Sequence, residues 1–317
     1  MVDKVLDLVA KTDKQIAEAK QALADMNGEA VGFEYYDKQE ELEHLEGLRS
    51  DLLEQCRDLE PCDHVYIARF AERPHIKDFI DALFTDFFEQ RGDHLYDNDD
   101  AIYGGIALYH KIPVTVLGHR KGATLDENMK CNFGMPSPEG YRKAMRMFEQ
   151  AEKFNRPIIT FIDTPGAYPG MEAEAHGQGE AIAKSLAMMS HLKVPVIAVV
   201  TGEGNSGGAL ALSVANRLLM LQYAVYSVLS PEGFCSILFK DTSRKKEACR
   251  LMHLTADDMY KDGMADEIIP EPAGGASAEP VSVYDAMDKA IYKNLKELMK
   301  MSPREIVSDR HRKFRKI

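Results

Sequence analysis

The rhythm of apolar positions changes partway along the chain. Over residues 1–62, Leu42, Leu45, Leu52, Cys56 and Leu59 recur at three-, four- and seven-residue steps, with Glu, Asp and Arg between them. That spacing lays one apolar stripe along charged helices. Asn27, Gly28 and Gly32 predict a break between two helices, so the segment reads as a helical hairpin packed on a neighbour. From about residue 100, short apolar runs alternate with helical stretches. The predicted strands are Ile102–Leu108, Val114–Gly118, Ile158–Asp163, Val196–Thr201, Leu218–Leu221 and Val225–Leu229. The predicted helices are Glu139–Phe154, Gly179–Ser190 and Ser206–Ala215. Ile158–Ile162 and Val196–Val200 are unbroken apolar runs, which predicts a sheet covered on both faces and hence an α/β fold. Ligands of open α/β sheets sit at the carboxyl ends of strands. Here Gly- and Pro-containing loops follow Asp163 and Thr201. Residues 270–280 read as a surface loop, and a final helix begins near Val283.

Composition narrows the function class. The 317 residues are 45% hydrophobic and 28% charged, as in a soluble globular protein. The net charge of −12 disfavours broad nucleic-acid binding. The one basic stretch, Arg310, Arg312, Lys313, Arg315 and Lys316, reads as a solvated helix end. The first residues, Met1-Val2-Asp3-Lys4, lack the apolar core of a signal peptide. The longest strongly apolar stretch, Val194–Val200, is too short to span a bilayer. None of the five cysteines forms a C-x-x-C pair, so neither a disulfide framework nor a metal site is expected in this chain. A cytoplasmic location is the default expectation.

The segment Gly202-Glu203-Gly204-Asn205-Ser206-Gly207-Gly208 matches three patterns at once. Gly202, Gly204 and Gly207 satisfy the dinucleotide fingerprint G-x-G-x-x-G, but Leu221–Tyr226 lacks the acidic residue that fingerprint needs. Gly204, Ser206 and Gly208 satisfy the nucleophile elbow G-x-S-x-G, which would make Ser206 a hydrolase nucleophile. Its candidate bases fall poorly: His253 in a helical stretch, His311 in the basic tail. The third reading needs only backbone: glycines allow close approach, and a helix start directs unpaired N–H groups at an oxygen gaining negative charge. Asp163-Thr164-Pro165-Gly166-Ala167-Tyr168-Pro169-Gly170 is a rigid second loop that can supply further N–H groups. It is not a GTPase switch, because the chain has no P-loop. Arg142, Lys143 and Arg146 lie on nearby faces of one helix and either reach phosphates or are surface charges.

Phe161–Gly170, the run NFGMPSPEGYRKA from Asn132 to Ala144, Gly202–Leu210 and Ser230-Pro231-Glu232-Gly233 together resemble the alpha subunits of bacterial acetyl-CoA carboxylase carboxyltransferases. The resemblance covers about residues 60–275. It implies a crotonase-like fold of repeated ββα units, preceded by the N-terminal helical segment. Residues 63–300 would form the carboxyltransferase domain and 301–317 a basic tail. It implies transfer of a carboxyl group from carboxybiotin, borne by a biotin carboxyl carrier protein, to acetyl-CoA, giving malonyl-CoA for fatty-acid synthesis. It implies a heterotetramer of two alpha and two beta subunits, with zinc on the beta subunit and ATP used by a separate biotin carboxylase. No cofactor is expected to bind this chain tightly. Backbone amides of Gly207 and Gly208, with Gly166 and Ala167 opposite, would form the oxyanion hole. Gly204, Asn205, Ser206, Tyr168, Arg142 and Lys143 are the candidate substrate-binding positions. A serine hydrolase of the same fold using Ser206, or a propionyl-CoA-type carboxyltransferase subunit, is the alternative. The chain departs from the family pattern at Asn205, where glycine is usual, at Ala173–Gln178, where His176 replaces arginine, and at Cys131. Strain in the glycine-rich turn is expected at Asn205.

Overall fold

The computed structural model describes residues 2–26 and 33–316; the expected break at Asn27, Gly28 and Gly32 lies outside them. Two helices lead, α1 (Val2–Asp25) and α2 (Phe33–Glu54). Leu45, Leu52 and Cys56 of the predicted stripe are buried, and Leu42 and Leu59 are half-buried. Val2, Val5, Leu6 and Val9 of α1 join Leu52 and Cys56 and close on Ile67 and Tyr223. The helical pair is therefore docked on the body by apolar burial. Next come α3 (Pro61–Ala68) and α4 (Ile76–Leu83), each steadied at its start by a first-turn aspartate that accepts from the capping residue's backbone, Asp63 from Glu60 N–H and Asp78 from His75 N–H.

Among the described residues, eight strands share one sheet: β1 (Thr85–Glu89), β2 (Ile102–Tyr109), β3 (Ile112–His119), β4 (Ile158–Thr164), β5 (Val196–Asn205), β6 (Arg217–Leu221), β7 (Val225–Ser227) and β8 (Glu267–Ile269). Their order is β1-β2-β3-β4-β5-β6-β8, with β7 pairing β5. β1, β2 and β3 pair antiparallel, and the remaining pairs are parallel. The helices among and after them are α5 (Leu125–Lys130), α6 (Pro138–Lys153), α7 (Met171–Ala175), α8 (Gln178–His191), α9 (Ser206–Leu210), α10 (Pro231–Phe234), α11 (Lys245–Leu251), α12 (Ala256–Lys261), α13 (Pro280–Leu298) and α14 (Pro303–Phe314). Every residue of β4 and β5 is buried, as their unbroken apolar runs predict.

Four expectations change. β5 does not end at Thr201 but continues through the glycines to Asn205. Its first half pairs β6, from Ile197–Arg217 to Val200–Met220, and its second half pairs β7, from Glu203–Val225 to Asn205–Ser227. The glycines are needed for close packing inside that strand. A Cβ at Gly204 would lie 2.5 Å from the Tyr226 ring, and one at Gly202 would lie 2.4 Å from the Asp163 carboxylate. The helix predicted over Ser206–Ala215 stops at Leu210. β1 is a largely exposed edge strand whose two apolar residues, Phe87 and Phe88, are adjacent rather than alternating, and β8 is three residues long, so neither carries a periodic signal. The basic stretch is helical, as expected, lying mostly in α14, but it is not all solvated. Ile306 joins the main core, and Arg310 is buried, donating to the carbonyls of Met189, Leu192 and Val194 and to Asn216. Lys313 pairs with Asp266. The solvated-end reading holds for Arg312, Arg315 and Lys316, which are exposed, and fails for Arg310 and Lys313.

Candidate active site

β4 and β5 run parallel, in register from Ile158–Val196 to Ile162–Val200 and again at Thr164–Gly204. Their carboxyl ends therefore lie side by side, and the chains that follow must meet. A Cβ on Gly208 would come within 2.6 Å of both the Ala167 nitrogen and the Gly166 carbonyl carbon. Gly166 sits at φ +143°, a conformation that glycine tolerates at no steric cost. The two expected loops are thus in backbone contact.

The donors differ in availability. Gly207 and Gly208 occupy the first turn of α9, where N–H groups lack an intrahelical acceptor. Ala167 N–H has no acceptor among the described residues. Gly166 N–H is already committed: it donates to Thr164 Oγ1 at 3.0 Å, and that hydroxyl donates back to Gly166 O at 2.8 Å. The expectation of Gly166 as an oxyanion donor is corrected accordingly. Its part is to shape the loop.

Strain sits one residue beyond where it was expected. Asn205 is extended, at φ −108°, and its side chain bridges Glu203 and Ser227 at 3.2 and 2.9 Å. Asparagine is accommodated there as a buried hydrogen-bonding link. Ser206, at φ +61°, is the left-handed residue of the turn. Such a conformation costs a non-glycine residue about 1–3 kcal/mol and persists where the surroundings hold it. The Ser206 side chain is exposed and makes no hydrogen bond among the described residues. His253 pairs with Asp262, and His311 faces the Ser190 carbonyl, so neither activates it. Among the described residues, neither histidine considered as a base for the elbow pattern reaches Ser206, and a serine nucleophile requires one.

Behind the turns lies a buried ion cluster that local patterns did not reveal. Lys121 Nζ is 2.6 Å from Asp163 Oδ1 and 3.6 Å from Glu203 Oε2. Asp163 Oδ1 also accepts from the Glu203 backbone at 3.1 Å. Arg69 donates to Glu203 at 2.7 Å and to Glu232 at 2.7 Å, and Lys245 reaches Glu232 at 2.7 Å. Three signature segments, Phe161–Gly170, Gly202–Leu210 and Ser230–Gly233, are thereby bound to one another. Burial alone would raise the Asp163 pKa; the Lys121 ammonium and His75 outweigh it and hold the carboxyl well below the usual carboxylate range. Burial likewise opposes charge on Lys121, but Asp163 and Glu203 push its pKa up. His119, at the end of β3, is buried with both ring nitrogens unpartnered, and burial lowers its pKa to about 4.

The NFG segment covers this cluster. Asn132, Phe133 and Gly134 take φ values of +47°, +54° and +78° in succession. A Cβ on Gly134 would meet the Lys121 stem at 3.0 Å and the Asp163 carbonyl at 3.1 Å. Three left-handed residues in a row need such close backbone approach to persist. Cys131, just before them, is buried, and burial raises its thiol pKa.

Two candidate binding residues are spent on internal bonds. Lys143 is 1% exposed and donates to Asn98, Asp99 and Ile102 acceptors at 3.1, 3.4 and 2.6 Å. Burial lowers its pKa to about 8. It braces the loop before β2 instead of reaching a substrate. Arg142 divides its guanidinium among Asp93, Glu139 and the His176 carbonyl at 2.9, 2.7 and 3.0 Å. His176 itself bonds Glu139 at 3.0 Å, so its departure from arginine is absorbed by this carboxylate. Tyr168 is half-buried and lines a polar cavity of about 310 Å³ together with Tyr96, Asn132 and His176.

The family described as acetyl co-enzyme A carboxylase carboxyltransferase-like matches residues 9–317. The chain belongs to that family. The acetyl-coenzyme A carboxylase carboxyl transferase subunit alpha of Clostridium acetobutylicum is 52% identical over 84% of this chain and 97% of its own length. The Bacillus subtilis subunit alpha is 48% identical over 98% and 93%. Among solved structures, transcarboxylase 12S matches with a TM-score of 0.59 at 20% identity, over 78% of this chain and 44% of that one. This chain thus spans less than half of that polypeptide. A chain of a Pseudomonas malonate decarboxylase hetero-tetramer matches with a TM-score of 0.57 at 14% identity, over 67% and 84%. The fold is the crotonase-like one that the motifs imply. No helix among the described residues is long and apolar enough to cross a membrane.

Proposed function

We propose that this chain is the alpha half of an acetyl-CoA carboxylase carboxyltransferase and holds the carboxyl donor. Carboxybiotin, borne on a carrier protein, supplies the carboxyl group as substrate. The N–H groups of Gly207, Gly208 and Ala167 donate to the oxygen that gains charge as the carboxyl group departs. Preorganised donors of this kind lower a barrier because they need no reorientation during the reaction. Acetyl-CoA is taken up mainly by a zinc-bearing beta subunit, which stabilises the enolate in the same way, and malonyl-CoA results. Two alpha and two beta subunits assemble, while a separate biotin carboxylase uses the ATP. The cytoplasm is the compartment this reading implies.

The backbone contact between the two loops, with the Ala167 amide lacking an acceptor among the described residues and Gly207 and Gly208 at a helix start, carries the proposal. The test is malonyl-CoA decarboxylation with biocytin as acceptor. The expected outcome is no turnover by the chain alone, turnover once a beta subunit is added, and undiminished turnover in Ser206→Ala. Activity of the isolated chain, or covalent labelling of Ser206 by a fluorophosphonate with loss of turnover, would overturn it.

A further inference from the structure

α14 carries the densest run of positive charge in a chain whose net charge is −12. One side of the helix is committed inward through Arg310 and Lys313. The other side is not. Arg304, Arg312, Arg315 and Lys316, with Lys193 from the loop after α8, surround a groove of about 630 Å³ that contains Val307 and no carboxylate. Arg312 has a distant partner, Asp309 at 3.7 Å; the other four cations have none among the described residues.

Five like charges around one groove repel each other, and a complementary anionic surface relieves that repulsion. The apolar floor decides between anions. A phosphate is held by converging N–H groups or by guanidinium pairs in a polar cradle. Val307 and the aliphatic stems of the arginines offer apolar contact instead, inside a cationic rim. A polypeptide segment with carboxylates interleaved with apolar side chains meets both features. Nucleic acid would meet a chain that is acidic overall.

We propose that this groove docks an acidic, apolar-bearing segment of a partner protein. It lies at the opposite end of β5 from the backbone amides: Arg310 holds the Val194 carbonyl just before β5, whereas Ser206 follows its last residue. A strand of that length spans roughly 33 Å at about 3.3 Å per residue. An occupant therefore tethers a partner to the enzyme and leaves the amides uncovered. The inference stands apart from the carboxyltransferase reading.

The experiment uses the full chain and a fluorescent helical peptide of about 18 residues, with Glu and Asp interleaved with Leu, long enough to lie along α14. Arg304→Glu/Arg312→Glu/Arg315→Glu changes exposed side chains and spares Arg310. Binding should weaken with salt and fall at least roughly tenfold in this variant, as for charged-rim contacts. It should also weaken when every Leu of the peptide is replaced by Ser. If the triple variant does not fold, Arg315→Glu alone is measured, with a partial loss expected. Equal binding by variant and parent overturns the proposal. So does displacement of the peptide by pyrophosphate or a short DNA duplex at lower concentration. Concentration-dependent self-association that the charge reversal abolishes would assign the groove to a second copy of this chain and likewise overturn it.

Discussion

At its amino end β5 is held by one buried cation, and at its carboxyl end by a cluster of ions. Arg310 spends its two terminal nitrogens on four carbonyls and Asn216, and burial pushes its pKa down to about 10. Those terminal nitrogens are all engaged with acceptors inside the chain, so Arg310 itself is not offered to a ligand. At the other end, Lys121, Asp163, Glu203 and Arg69 satisfy one another behind the turn. In front of them, the Ala167 amide has no acceptor among the described residues, and Gly207 and Gly208 lie in the first turn of α9. The same strand thus shows two uses of buried polarity: one closes a joint, the other ties together the loops that follow β4 and β5.

Substitutions at the two ends should separate these uses. The largest effect is expected for Lys121→Met, which leaves Asp163 buried beside Glu203 without its cation. Breaking a buried pair from one side costs about 3–5 kcal/mol, so urea denaturation should show a loss of that order, with turnover impaired as the two loops part. Next is Gly208→Ala in the assembled enzyme. Its Cβ would strike backbone atoms of Gly166 and Ala167 at 2.6 Å, so the loops must shift. Loss of one aligned donor costs about 2.7–4 kcal/mol in the barrier, a roughly 100- to 1,000-fold fall in kcat, with assembly retained by size-exclusion chromatography. At the amino end, Arg310→Met should cost about 1–3 kcal/mol of stability, because buried carbonyls lose their donors. Turnover of the folded fraction should not change; a matching fall in kcat would dissolve the distinction between the two ends.

The last effect concerns pH. Burial holds His119 neutral, with its folded pKa near 4 against an ordinary value of 6.5. The unfolded chain takes up that proton first. This contribution to stability is therefore complete above about pH 6.5 and is lost as the pH falls toward about 4. His119→Phe should flatten this limb of a stability-against-pH curve. An unchanged limb would show that His119 is not its source.

Much of the site's position was legible along the chain. The apolar runs of β4 and β5 announced buried parallel strands, and the glycines and prolines after them marked the loops that meet. The four signature segments identified the family before any contact was known. The end of β5 was not legible. Glycine ordinarily interrupts a strand, and only Tyr226 and Asp163, packed against Gly204 and Gly202, make it the residue the strand requires. Nor was the seat of strain legible: Asn205 looks unusual in the sequence, while Ser206 takes the left-handed backbone. Lys143 and Arg142 read as surface charges or phosphate ligands, because helical spacing says which residues share a face and not how deeply that face is buried.

Periodicity, composition and short motifs determined the elements, the α/β class and the family of this chain, since each depends on residues near one another in sequence. The tertiary structure alone decided which charges are hidden and which amides are free. Lys121 lies far along the chain from Asp163 and Glu203, and Arg310 farther still from Asn216. Ionic and hydrogen-bond partners so separated leave no local pattern. Their energies depend on burial, which exists only once the sheet has brought them together.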